Sequence, residues 1–179
     1  MKEKTLAQKY LYNGKIVKLR EDKAVTSEGC EVERTVVEHP GGVGIALEDE
    51  DGRFFFVTQW RYAQGKTTLE YPAGKREKGE SDLDVAKREI AEETGYLGKD
   101  WFYLGTIYPT PAYDTETIGM YYARKDRFVG QHLDADEFIN ISKLTLDEIT
   151  DKILNGEVHD AKTIAMTFLV RKLKERGKI

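Results

Sequence analysis

The sequence predicts a mixed α/β sandwich, and three observations carry that reading: two adjacent, strongly apolar β-type runs around residue 50, a capped amphipathic helix opening after Ser81, and further strands followed by two more capped helices. With 179 residues, of which 40% are apolar and 34% charged, there is material for one compact domain with a small extension and too little for two full domains.

Residues 1–38 read as a β-rich arm, because Lys15–Leu19 and Thr35–Glu38 carry β-branched side chains and Asn13–Gly14 supplies a hairpin turn between them. Residues 39–179 form the main domain. There VGIAL (Val43–Leu47), the acidic turn Glu48–Gly52 and Phe54–Gln59 describe a hairpin of central strands. Thr67–Tyr71 is a third extended piece, closed by Pro72, which has no N–H to give to a ladder. Ser81, with Asp84 three residues on, opens a helix whose apolar stripe is Leu83, Ala86, Ile90 and Leu97, and Gly95 marks its end. Trp101–Ile107 and Ile118–Ala123 are two more strands. They are separated by YPTPAYDTE, a long loop in which Pro109 and Pro111 oppose regular structure; loops of that length in small domains are often functional. Thr145 and Glu148 form a capping box for a second helix striped by Leu146, Ile149 and Ile153 and stopped at Gly156. A third helix begins near Asp160 and carries Ile164, Phe168 and Leu173.

Composition excludes several classes of function. The net charge is −4 and the pI near 5.5, so there is no excess of cations to neutralise a nucleic-acid backbone. A lone cysteine, Cys30, and scattered His39, His132 and His159 give neither a disulfide nor a zinc-type ligand pair. No apolar run approaches the roughly 20 residues that span a bilayer, and the N-terminal segment has no cleavable-leader pattern, so a reducing cytoplasm is the expected compartment.

The chemistry lies between Gly74 and Tyr96. On a helix Glu89, Glu92 and Glu93 stand at i, i+3 and i+4, crowding three like charges onto one narrow face at a cost of a few tenths of a kcal/mol per pair, roughly. Most acidic helical segments are solvated faces. Here an oxygen-only donor set without His or Cys suits a hard divalent cation, Mg²⁺ or Mn²⁺, and Arg88 can hold a carboxylate by a two-pronged pair.

The segment resembles the Nudix box, G-x5-E-x7-R-E-U-x-E-E-x-G-U with U bulky and apolar: Gly74, Glu80, Arg88, Glu89, Ile90, Glu92, Glu93 and Gly95 fall in register, and Tyr96 takes the final U. The resemblance implies an α/β/α sandwich that hydrolyses a diphosphate linked to another moiety. Glu89, Glu92 and Glu93 match the metal-binding positions, and Ala73 matches a position whose main-chain carbonyl often joins the metal. The flank QWRYAQGKTTLEYPAGKREKGE is similar to that of ADP-ribose and nucleoside diphosphate sugar pyrophosphatases, which places Arg61 and Glu70 near substrate. Pro111 stands sixteen residues beyond Gly95, the spacing associated with ADP-ribose hydrolases. Its loop is similar to their Y-x-S-P-G-x-x-x-E, with Thr110 for Ser, Ala112 for Gly and Glu116 at the terminal glutamate. GEVHDAKT near Gly156 looks like the G-x-I-x-D-x-K-T segment of these enzymes.

Related hydrolases carry a catalytic glutamate on a loop after the fifth main strand, which points to Glu137 in LDADEF, while Glu92 or Glu93 could instead orient the water. Arg34, before the HPG turn, is a candidate nucleotide contact and His39 a turn residue. The resemblance further implies a homodimer built through the arm. Its rivals are a Nudix hydrolase of nucleoside triphosphates or dinucleoside polyphosphates, and a non-catalytic nucleotide-sugar sensor.

Overall fold

The structure is a computed structural model that describes residues 2–133 and 138–179. The chain resolves into two compact units, Met1–Gly41 with Tyr108–Thr117, and Gly42–Ile107 with Ile118–Ile179.

The first unit is an antiparallel sheet of β1 (Lys4–Asn13), β2 (Lys18–Val25) and β3 (Glu31–Glu38), in that spatial order. Asn13–Gly14 does make a turn, with the Gly14 N–H donating to Val17 O at 3.0 Å, but it joins β1 to β2. The link from β2 to β3 is a second turn, closed by the Gly29 N–H on Thr26 O at 3.0 Å. Every residue of β1 is exposed, so no in–out alternation betrays that strand in the sequence. The loop Tyr108–Thr117 lies beside β3: the Val37 N–H donates to Tyr113 O at 2.7 Å and the Thr115 N–H to Val37 O at 2.9 Å.

The second unit is an α/β/α sandwich. Its sheet contains β4 (Gly42–Glu48), β5 (Phe54–Arg61), β6 (Lys66–Glu70), β7 (Ala73–Lys75), β8 (Tyr96–Ile107), β9 (Ile118–Phe128) and β10 (Ile139–Leu144). The path runs β10-β5-β4-β9-β8, with β6 on β5 and β7 on β4. β4 and β9 are parallel and the other pairs antiparallel, which makes the sheet mixed. β4 is buried throughout, as a strand covered on both faces must be, and that is why it reads as a continuous apolar run.

Period-two alternation divides the core. Val43, Ile45, Leu47, Phe55 and Ala123 meet Val85, Ala86 and Ile90 of α1 (Asp82–Thr94) on one face. On the other, Ala46, Phe54, Phe56, Tyr71, Met120 and Tyr122 pack with Ile149 of α2 (Leu146–Leu154) and Met166 and Val170 of α3 (Ala161–Glu175). Each Val, Leu, Ile, Phe or Met among them contributes roughly 1.5–3 kcal/mol by leaving water, and each alanine less.

The helix signals hold. Ser81 Oγ accepts the Asp84 N–H at 3.3 Å, Thr145 and Glu148 close a reciprocal capping box, and Asp160 caps α3. Gly95 ends α1 in the left-handed region at φ 76°, where a Cβ would be strained. The stripes need correction. Leu97 lies beyond Gly95 in β8, and Val85 takes its share of the buried face of α1. In α3 Ile164 and Phe168 are exposed, while Thr163, Met166, Thr167 and Val170 are buried, the Thr163 hydroxyl accepting the Tyr71 N–H. β10 was not expected at all: INISKL is half polar, and its pairing with β5 puts it at the sheet edge.

Candidate functional site

α1 presents its acidic face at the end that lies beside β7. Arg88 is the centre of the cluster. Its Nε and Nη2 donate to the two Glu80 oxygens at 3.0 Å each, Nη1 reaches Glu89 at 2.8 Å and Glu92 at 3.0 Å, and Nη2 also meets Lys75 O at 3.3 Å. One guanidinium therefore offsets the repulsion among three carboxylates, and its hydrogen bonds hold the Glu80 carboxyl below the usual carboxylate range.

Two carboxylates grip the strand. Glu93, only 3% exposed, accepts the Ala73 N–H at 3.0 Å. Glu89 lies against Gly74 so closely that a Cβ there would overlap its carboxylate, which gives this glycine a steric reason. Thus Ala73 and Gly74 are bracketed by Glu93 and Glu89, and the Ala73 carbonyl belongs to the same neighbourhood as the helix carboxylates.

The donor set of Glu80, Glu89, Glu92, Glu93 and a main-chain carbonyl is all oxygen and, against one arginine, strongly negative, so it fits a hard divalent cation. Among the described residues no three acidic, His or Cys side chains already converge as a finished cage. The carboxylates are instead spent on Arg88 and the Ala73 N–H, and a cation would compete with those donors.

A second cluster adjoins β7 through the preceding strand. Glu70, at the end of β6 and 2% exposed, accepts Arg61 Nε at 2.7 Å, Arg61 Nη2 at 2.6 Å, Thr68 Oγ1 at 2.5 Å, and the Lys162 ammonium. Burial alone would raise its carboxyl, but the hydrogen bonds from Arg61 and the charges of Lys162 and Arg61 bring it down to about 2. Arg61 is held charged first by Glu70, and also feels Asp160 and Glu93. Lys162 and its partner Asp160, 3.0 Å away, were not assigned a role from the sequence; the signal available was the DAKT segment before α3.

The remaining sequence candidates belong to the first unit or fall outside the description. Arg34, on β3, is engaged by Glu3 at 2.5 and 3.1 Å. Pro111 is exposed in the loop beside β3, and Glu116 stands 3.4 Å from His39 Nδ1, which itself accepts the Gly41 N–H at 3.0 Å as a turn residue would. Glu137, with Asp134 and Asp136, lies outside the described residues. Glu89, Glu92, Glu93 and Ala73 are brought together in the second unit, and Arg61 and Glu70 are brought together next to them.

Residues 38–166 match the NUDIX domain model. An ADP-ribose pyrophosphatase of Bacillus subtilis (strain 168) is 33% identical over 165 residues, covering 91% of this chain and 89% of that one. A methanol dehydrogenase activator of Bacillus methanolicus is 35% identical over 166 residues, covering 90% and 89%. An ADP-ribose pyrophosphatase of Mycobacterium tuberculosis (strain ATCC 25618 / H37Rv) is 32% identical over 166 residues, covering 90% and 79%. A crystal structure described as an ADP compounds hydrolase shares the fold with a TM-score of 0.86 at 18% identity, covering 100% of this chain and 98% of that one.

Proposed function

The chain belongs to the Nudix family, and on that premise we propose that it hydrolyses the pyrophosphate bond of ADP-ribose or another nucleoside diphosphate sugar to a nucleoside monophosphate and a sugar phosphate. The observation that carries this reading is the bracketing of Ala73–Gly74 by box carboxylates beside an outward-reaching arginine, in a chain alike over nine-tenths of its length to two ADP-ribose pyrophosphatases.

Nudix chemistry uses a divalent cation, here Mg²⁺ with Mn²⁺ as a substitute, which supplies charge neutralisation on the diphosphate and a more acidic water. Glu89, Glu92, Glu93 and the Ala73 carbonyl are the residues that would hold it. Arg88 keeps Glu89 and Glu92 on one side of α1, and Glu93 is fixed by the Ala73 N–H, so the acceptors are oriented before any ligand arrives. Glu92, with its side chain 39% exposed, is the more open of the box carboxylates that can orient a water; Glu137 keeps its place as the candidate base by family position. Arg61, anchored through Glu70, binds substrate oxygens. Arg34, Pro111 and Glu116 are assigned to nucleotide recognition on the resemblance.

Residues 1–38 are assigned as a dimerisation arm and residues 39–179 as the hydrolase domain. The exposed Leu6, Tyr10, Leu11 and Tyr12 of β1 support a homodimer, to be checked by light scattering. The single exposed, unpaired Cys30 supports a cytoplasmic location. No helix among the described residues is long and apolar enough to cross a membrane.

The test is ³¹P NMR in ¹⁸O-water with Mg²⁺ and, separately, ADP-ribose, ADP-glucose, GDP-mannose and ATP. Conversion of a diphosphate sugar to monophosphates is expected, with the label marking the attacked phosphorus. Cleavage of ATP alone overturns the substrate class, and binding without turnover favours a sensor. The name of the Bacillus methanolicus relative favours a second reading, action on a dehydrogenase, which is checked by dehydrogenase turnover with and without this protein.

A further inference from the structure

The Glu70 carboxylate is saturated. Its two oxygens take four donors, two from Arg61, one from Thr68 and one from Lys162, which is all that a carboxylate's lone pairs accommodate. Lys162 is 6% exposed and bridges to Asp160 Oδ1 at 3.0 Å. Asp160 Oδ2 in turn accepts the Thr163 N–H at 2.9 Å and the Thr163 hydroxyl at 2.6 Å. Thr163 Oγ1 accepts the Tyr71 N–H at 3.0 Å. Tyr71 follows Glu70 in the chain, so the hydrogen bonds close a ring: Glu70, Lys162, Asp160, Thr163, Tyr71 and back along one peptide.

A ring of that kind fixes a side chain relative to its own backbone, which no single ion pair does. Its members Glu70, Lys162 and Thr163 are buried, the Asp160 side chain is 20% exposed, and the attached Arg61 is the most open, its side chain 42% exposed. Arg61 spends Nε and Nη2 on Glu70, and its Nη1 has no hydrogen-bond partner among the described residues. A guanidinium held on one edge and unused on the other is a preorganised receptor for anionic oxygen. Two residues beyond Tyr71, Ala73 at the start of β7 gives its N–H to Glu93, so the ring from α3 and the carboxylate from α1 fasten the two ends of one four-residue stretch, Glu70–Ala73.

We propose that Lys162 is a positioning residue for substrate: pinned between Glu70 and Asp160, it locks the carboxylate that orients Arg61, so that the free Nη1 edge of Arg61 meets the diphosphate oxygens. This rests on the hydrolase reading above. Lys162 itself touches no substrate; it acts through Glu70 and Arg61. The interaction is made alike in ground and transition states, so its loss raises KM and spares kcat.

The experiment is a double-mutant cycle on ADP-ribose hydrolysis with Mg²⁺, using Lys162→Met, Lys162→Arg, Arg61→Met and Arg61→Met with Lys162→Met. Lys162→Met is expected to raise KM about tenfold, the weight of a lost charge-assisted hydrogen bond, with kcat within about twofold. In the Arg61→Met background the Lys162 substitution should cost nothing further, and Lys162→Arg should restore most of the affinity. Independent, additive effects or an unchanged KM overturn the proposal. Should Lys162→Met fail to fold, Asp160→Asn keeps the helix cap while removing the charge behind Lys162; a KM rise of about threefold that vanishes in Arg61→Met is expected, and one that persists overturns it. A second arm needs no turnover: the ¹⁵Nε–¹H resonance of Arg61, identified by its loss in Arg61→Met, should be slow to exchange in the unsubstituted protein and in Lys162→Arg. It should collapse into the fast-exchanging arginine envelope in Lys162→Met, and its persistence there overturns the positioning role. Absence of diphosphate-sugar turnover in the unsubstituted protein would fault the hydrolase reading alone.

Discussion

Two arginine–carboxylate clusters are fastened to the same short stretch of backbone at Tyr71–Ala73, and they are built with opposite stoichiometry. Around Arg88 one cation is shared by Glu80, Glu89 and Glu92, at the partly open edge of α1. Around Glu70 one anion is shared by Arg61 and Lys162, and the anion is 2% exposed. The first cluster has acid to spare and therefore attracts cations; the second turns a charged arginine outward and therefore attracts anions. A cationic metal and an anionic diphosphate are the two charges a pyrophosphohydrolase must bring together, and β6 and β7 place the two clusters side by side to do it. Solvent separates them as well: the first can exchange partners cheaply, while the second is locked by burial, where an unpaired charge costs several kcal/mol, roughly.

The largest effect is expected from breaking the acid-rich side. Glu93→Gln keeps an acceptor for the Ala73 N–H and removes the charge, so the strand stays in place while kcat falls by at least about 10²-fold. Steady-state kinetics with a circular-dichroism check of folding measures this; unaltered turnover would remove Glu93 from the metal set and leave Glu89 and Glu92 to carry it.

The acid-rich cluster was legible from sequence because its members are neighbours on one helix, where spacing alone fixes who faces whom. The two central strands and the capped helices were legible for the same local reason, but not the strand pairing: β4 and β5 are paired only at Glu48–Phe54 beside their turn, and β4 is otherwise laddered to β9 and β7. Of the cation-rich cluster the flank resemblance named Arg61 and Glu70, but the place of Lys162 between them and Asp160 was not legible. A lysine in the first turn of a helix reads as a solvated charge, and Lys162 is buried only because α3 packs against the sheet, which brings it to Glu70 across 92 residues. Arg34 illustrates the same limit in the arm, where its partner Glu3 is 31 residues away. β1 and β10 escaped because one is exposed along its whole length and the other is half polar, so neither carries the alternation that marks a strand.

The buried side can be broken by acid. Glu70 has its carboxyl lowered from 4.5 to about 2, so its contribution to stability is fully present above about pH 4.5 and is lost as pH falls through about 2. A shift of that size corresponds to about 3 kcal/mol. Other acids titrate in the same window, so the useful quantity is the difference between the unsubstituted protein and Glu70→Gln in urea-unfolding free energy. That gap should be wide at pH 6 and close toward pH 2, where protonated Glu70 resembles the amide. A gap that is the same at both values would show that the carboxylate is not held by Arg61 and Lys162 as the geometry indicates.

The smallest effect sharpens the contrast between open and buried charge. Arg88→Met takes the shared cation from Glu80, Glu89 and Glu92, but these sit near water, so repulsion is screened and the cost is about 1 kcal/mol, or about 3 °C in melting temperature. Because the deficit is one of positive charge, Mg²⁺ should repay it: thermal unfolding with and without the cation is expected to show a larger stabilisation by Mg²⁺ in Arg88→Met than in the unsubstituted protein. The corresponding loss of Lys162 from the buried cluster should show no such rescue, since a cation cannot reach a site 6% exposed. Equal Mg²⁺ stabilisation with and without Arg88 would mean that the arginine and the metal do not compete for the same carboxylates, and the distinction between a cluster poised for a cation and one closed to it would fail.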